Sequence, residues 1–164
     1  MTVRSLPKTS KQRLAELSAR RNLKMARSAH AYVRGSTTRF YQWLDETSVS
    51  VLPQGPAIWI CGDCHTGNLG PVANAEGDVE VQIRDLDQTV IGNPVHDVIR
   101  LALSLATAAR GSDLPGVTTL HMMESLIEGY ASAIKPNRKS ADLFRPPKPV
   151  ELTVRQATER TWRQ

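Results

Sequence analysis

Residues 61–68, CGDCHTGN, place two cysteines, an aspartate, a histidine and an asparagine on one loop punctuated by Gly62 and Gly67. Three chemistries can be built from those residue types. Cys61 and Cys64 have the C-x-x-C spacing of a dithiol redox site. Cys61, Cys64 and His65 supply three zinc ligands, with His96 or His121 as a fourth. Asp63 and Asn68 supply an acceptor for a hydroxyl proton and an amide oxygen for a hard cation. Asp85 and Asp87 add carboxylates after the next apolar stretch. The redox reading needs a helix opening at the second cysteine, and the glycines and proline of HTGNLGP disfavour one. The zinc reading lacks a second C-x-x-C or an H-x-x-x-H. The oxygen set is the fullest. In it Asp63 takes the proton of an attacking hydroxyl, and Asn68 with Asp85 converges on magnesium. The two glycines let the loop bend tightly.

These residues need strands and helices to hold them. AIWIC, 57–61, reads as a short buried strand, and VEVQIRD, 79–85, as a second strand with Val79, Val81 and Ile83 inward. The two are expected to pair as a hairpin. GPVANAEGD, 70–78, reads as a turn-rich loop between them. GNP, 92–94, is a breaker, with Pro94 suited to a helix first turn. VHDVIRLALSLATAARG, 95–111, is the strongest helix, with a wide apolar face and Gly111 at its end. Residues 116–134 form another. Upstream, Lys8 to about Ala31 reads as one helix with a patchy stripe of Leu14, Leu17, Met25 and Ala29, interrupted by Arg34-Gly35. Ser36 or Thr37 caps a helix with Phe40, Trp43 and Leu44 on one face. The domain reading is a disordered tail over 1–9, a catalytic-loop domain over 10–135, a basic proline-rich connector over 136–150, and a last helix over 151–164 that the chain interrupts, with Trp162 exposed.

The chain has 164 residues, 40% hydrophobic and 23% charged, ordinary values for a folded globular domain. No uncharged apolar run approaches a membrane span, and no secretory signal is legible, so a cytoplasmic place and no membrane partner are expected. Net charge is +5, and residues 1–39 hold ten Lys/Arg against the single acid Glu16. No aromatics interleave with these charges, so nucleic acid is not the expected partner. A solvated basic helix is the plainer reading. Two cysteines exclude a disulfide framework.

Four motifs in order carry a resemblance. SAHAYVRG (28–35), CGDCHTGNLG (61–70), RDLDQT (84–89) and GNPVHDVIRLA (92–102) resemble the SPFAFxRG, CGDxHxxNFG, NDFDE and GPxxWDLxRLA of the bacterial family called domain of unknown function 2252. The loop alone also resembles the HGDxHxxN of aminoglycoside phosphotransferase and choline kinase-like enzymes. The resemblance spans roughly residues 22–134. It implies a mainly helical α+β, protein-kinase-like catalytic lobe and transfer of phosphoryl from magnesium-ATP to a small-molecule hydroxyl or amine. By the same resemblance Asp63 is the catalytic base, Asn68 and Asp85 bind metal, and Asp87 is a further carboxylate of less defined role. Asp97 holds the catalytic loop, and His65 braces it. Arg34 and Arg100 match motif arginines, with solvent or an aspartate as the plainer partner. Leu69 stands where the family has Phe, and His96 where it has Trp. These departures bear on substrate more than on chemistry.

The kinase reading also needs a glycine-rich flap and a phosphate-binding lysine. The sequence has no G-x-G-x-x-G. Members of the resembled family are much longer, with the nucleotide-binding segment after the catalytic motifs. The expectation is therefore a lobe inactive alone, awaiting a complementary nucleotide-binding lobe or partner chain. The alternatives are a non-catalytic binding module on the same fold, using the basic N-terminal face, and the redox or zinc site at the cysteines.

Overall fold

A computed structural model describes residues 7–47, 51–134 and 148–159. Helix α1, Ser10–Met25, begins at a capping box in which Thr9 and Gln12 satisfy each other's backbone N–H groups. The chain then breaks earlier than expected. Ser28 accepts the Ala31 N–H at 3.1 Å and starts a separate helix, α2, Ala29–Gly35. Serine competes for backbone donors and so favours a cap over a helix interior. Helix α3, Thr37–Glu46, buries Phe40 and Leu44 but leaves Trp43 half exposed.

Four strands follow: β1, Ile58–Ile60; β2, Leu69–Ala73; β3, Val79–Ile83; and β4, Val90–Gly92. The expected hairpin of 57–61 with 79–85 is not formed. β1 pairs antiparallel with β4, and β2 pairs antiparallel with β3, with Leu69 opposite Ile83 and Ala73 opposite Val79. The partner of β3 is part of the stretch expected to be loop. Pro71 lacks a donor but is tolerated because β2 is an edge strand. The turn itself is short. Asn74 Oδ1 accepts the N–H groups of Glu76 and Asp78, and Gly77 takes φ +90°. Val81 is exposed on β3, contrary to the inward alternation, and only Ile60 of β1 is buried. A two-stranded sheet has too little neighbouring structure to bury a whole face.

Helix α4 runs Val95–Gly111 and α5 Gly116–Ala133, packed on each other, with α2 against α4. Helix α6, Lys148–Glu159, lies against β2 and β3 and begins three residues before the expected 151. Thr9, expected in the tail, belongs to the α1 cap. The remaining tail residues 1–6, the connector up to residue 147 and Trp162 lie outside the described residues. The fold is α+β and mainly helical. No helix among the described residues is long and apolar enough to cross a membrane.

Among the described residues the buried apolar side chains are few: Phe40, Leu44, Ile60, Cys61, Cys64 and Ala109. The two most completely buried side chains among the described residues are polar, Arg100 at 1% and Ser104 at 0% exposure. They lie on α4, where Asp97, Arg100 and Ser104 follow a 3-and-4 spacing and so share one face. That polar face, not only the apolar one, is turned inward, toward the 61–68 loop.

Candidate active site

The loop is attached to α4 at three points in register. Asp97 accepts the Cys61 N–H at 2.6 Å on Oδ2 and the Gly62 N–H at 3.0 Å on Oδ1. Arg100 donates to Asp63 Oδ1 from Nη2 at 2.7 Å and from Nε at 3.1 Å. Ser104 Oγ accepts the Thr66 N–H at 3.1 Å and lies 2.9 Å from Thr66 Oγ1. Bonds to ionised groups are the strong ones, and two of these three attachments are of that kind.

Gly62 makes the sharp bend after β1. Its φ is +76°, and a Cβ there would overlap the Gln88 carbonyl oxygen. Its own carbonyl accepts the Tyr41 hydroxyl at 2.9 Å. Burial, with Asp97 adding to it, pushes Tyr41 up to about 12, so this donor keeps its proton.

Asp63 Oδ1 is crowded with donors, since Thr37 Oγ1 also donates to it at 2.8 Å. Oδ2 faces His65 Nε2 at 3.5 Å. Arg100 is further held over the Phe40 ring at 5.2 Å. Asn68 closes the short 3-10 turn Thr66–Asn68 and donates from Nδ2 to the Asp63 carbonyl at 3.0 Å. Its own carbonyl accepts the Arg84 N–H at 2.8 Å, which extends the β2–β3 ladder and puts Asp85 one residue beyond. The Asp85 carbonyl lies 3.8 Å from Cys61 Sγ, so the chain returns to the start of the loop. Asp87 sits beside Asp85, whose Oδ1 accepts its N–H at 3.4 Å. The Asp85 charge is the main reason the Asp87 carboxyl is raised above the usual carboxylate range.

His65 is buried, and its Nδ1 has no hydrogen-bond partner among the described residues. Gly67 makes room for it. A Cβ at Gly67 would stand 3.1 Å from His65 Nδ1 and 3.1 Å from Arg34 Cζ, so the histidine and Arg34 flank one glycine. Burial lowers the His65 imidazole below its usual range; Asp63 opposes this, and Arg34 and Arg100 add to it. The folded state therefore resists protonation of His65 more than the unfolded chain does. Above about pH 6.5 neither state takes the proton; below it the unfolded chain takes it first, and stability falls toward the lowered folded value. Urea midpoints at about pH 7.5 and pH 5.5 check this. The native chain is expected to lose more stability than His65→Gln over that interval, and an equal loss would remove His65 as the cause.

A family profile described as "Uncharacterized protein conserved in bacteria (DUF2252)" matches residues 13–163. The chain belongs to the DUF2252 family. No curated protein and no solved structure matches it.

The cysteines of this DUF2252 chain are both free and buried. Burial raises the Cys61 thiol and pushes Cys64 up to about 12, with Asp97 adding to both. A redox dithiol needs the opposite, a thiol lowered toward neutrality. The zinc set is not assembled either. No group of three or more His, Cys, Asp or Glu side chains among the described residues is placed to hold a metal. His96 instead meets the Tyr41 ring edge-on, with centroids 6.2 Å apart.

Thr37, Tyr41 and Ser104 of the DUF2252 chain also serve the loop and were not legible as site residues. Thr37 is indistinguishable in sequence from a helix-capping residue. Ser104 carried a signal, a third polar position on the same face of α4 as Asp97 and Arg100.

Proposed function

We propose that this DUF2252 domain is the catalytic-loop lobe of a kinase-like phosphotransferase, acting on a small-molecule hydroxyl or amine with magnesium-ATP. The observation that carries the reading is the hydrogen-bonded frame that ties Asp63, Asn68 and the β3 end together. Asn68 spends its amide nitrogen on Asp63 and its carbonyl on Arg84. Its side-chain oxygen accepts no hydrogen bond from the described residues. That oxygen and the carboxylates of Asp85 and Asp87 are hard donors of the type magnesium takes. The mutual repulsion of Asp85 and Asp87 suits a site that gains a cation. They form a pair of carboxylates, too few for a dedicated cage, so substrate phosphates would complete the shell. Bound magnesium would neutralise charge on the phosphates.

In this reading Asp63 orients the acceptor. Arg100 and Thr37 fix one carboxylate oxygen, and the other, 3.5 Å from His65 Nε2, is the one to receive a hydroxyl proton. The Arg100 and Thr37 bonds hold the carboxylate in one orientation, so the role of Asp63 in this reading is to place the hydroxyl. Asp97 and Ser104 position the loop and do not touch substrate. With no G-x-G-x-x-G in the sequence, the nucleotide phosphates meet only the metal ligands here, and a complementary lobe or partner chain supplies the remainder.

The test is a titration with manganese, followed by amide line-broadening, together with a thermal melt. Broadening is expected at Asn68, Asp85 and Asp87 and is expected to vanish in Asp85→Ala. At a Kd near the millimolar range, about 1 mM magnesium-ATP would add only about 0.4 kcal/mol, and Asp85→Ala would remove that increment. Broadening centred away from these three residues would sink the metal site.

A further inference from the structure

Five of the ten basic residues in 1–39 are gathered around one volume. Arg20, Arg21, Lys24, Arg27 and Arg34 line a cavity of about 810 Å³ between α1 and α2, and no acidic residue lines it. Glu16 reaches only Arg20, at 3.9 Å, and is shared with Lys8 at 2.6 Å. No carboxylate pairs with Arg21, Lys24, Arg27 or Arg34 among the described residues. All five side chains are solvent-exposed, so the cavity opens to solvent and its cations are accessible to an anion that arrives from it. The packing is close. A Cβ at Gly35 would stand 2.8 Å from Met25 Cγ, so a glycine seats the end of α1 against the end of α2.

Arg34 joins this cavity to the loop already described. It lines the cavity and also abuts Gly67, beside the unpartnered Nδ1 of His65. The cavity thus has its inner wall next to the loop, while its outer wall is α1.

We propose that the α1–α2 cavity binds a small anion carrying two or more phosphate groups. Four of its five cations are arginines, whose planar forks match phosphate oxygens two at a time. Its volume falls in the range of small-molecule sites, about 300–1,000 Å³, and exceeds what one phosphate fills. No aromatic side chain lines it, so it lacks the stacking platform that holds single-stranded nucleic acid. The site does not depend on phosphoryl transfer at Asp63.

The probe is sodium tripolyphosphate, titrated calorimetrically into the full chain without magnesium, so the result leaves the metal-site reading untouched. One equivalent is expected to bind at low salt and to weaken as salt rises. Arg21→Gln and Arg34→Gln are each expected to weaken binding about tenfold. Lys11→Gln, an equal charge change on α1 outside the cavity, is expected to change it little. Absence of binding, several equivalents bound with equal sensitivity to Lys11→Gln, or tighter binding of a single-stranded RNA oligomer than of tripolyphosphate would each overturn the proposal. Far-ultraviolet circular dichroism of each variant separates loss of the site from loss of the helices.

Discussion

Gly62→Ala is expected to cost about 2–5 kcal/mol, a large share of the roughly 5–15 kcal/mol that holds a domain of this size. Two effects add. A left-handed φ of +76° carries a penalty of about 1–2 kcal/mol for any residue with a Cβ. The new methyl also overlaps the Gln88 carbonyl oxygen, a backbone atom that cannot swing away as a side chain would. Relief requires moving the 86–89 turn, where Thr89 N–H is bonded to the Leu86 carbonyl at 3.2 Å, or the loop itself. Forced overpacking of this kind costs about 1–3 kcal/mol. Gly77→Ala is the control. Its φ is +90°, but nothing lies within 4 Å of its Cβ position, so it should show the backbone penalty alone. Urea unfolding of both variants measures the difference. Equal losses would mean that the Gln88 contact is not felt.

Arg100→Met is expected to cost about 3–5 kcal/mol, the range for removing one partner of a buried ion pair. Arg100 is 1% exposed, and its loss strips Asp63 Oδ1 of two of its three donors. The remaining carboxylate is partly buried with only Thr37 and the long His65 contact beside it. Most of that cost comes from the stranded charge rather than from the pair itself. The double variant Asp63→Asn/Arg100→Met should therefore recover part of the loss, because a neutral amide is less costly to leave unpaired. Denaturant unfolding of the two single variants and the double completes the cycle. Additive losses would show that the two side chains do not depend on each other, and a loss below about 1 kcal/mol for Arg100→Met would place the arginine in solvent instead.

The sequence made some of this legible. Helix α4 is found at its expected bounds, 95–111, because Pro94, a long apolar pattern and Gly111 agree with one another. The loop residues were visible as types and spacing, and the four ordered motifs pointed to the family. Strand pairing was not legible. Gly70, Pro71 and Gly77 suggested one long loop, whereas only the Asn74–Asp78 turn is non-strand, and local composition carries no information on which edge a short strand will meet. The inward face of α4 was misjudged in part for a related reason. Periodicity finds apolar residues, so it favours the apolar face, and Arg100 and Ser104 are buried because they bond to a loop more than thirty residues earlier in the chain. Partners for Arg100 follow from that packing and from nothing within its own helix.

The parallel attachment of residues 61, 62, 63 and 66 to residues 97, 100 and 104 governs how this loop can move. A loop held at one end can swing; one bonded along its length to a helix cannot open without breaking several bonds at once. Its amides should exchange with deuterium at the rate of the helix rather than at the rate of surface loops, as one cooperative unit. The protons of Cys61, Gly62 and Thr66 would then report on the separation of loop and helix, slow and concerted, while Gly77 and its exposed turn exchange first. Under the proposed function, an acceptor reaching Asp63 would meet a loop already held in place by α4.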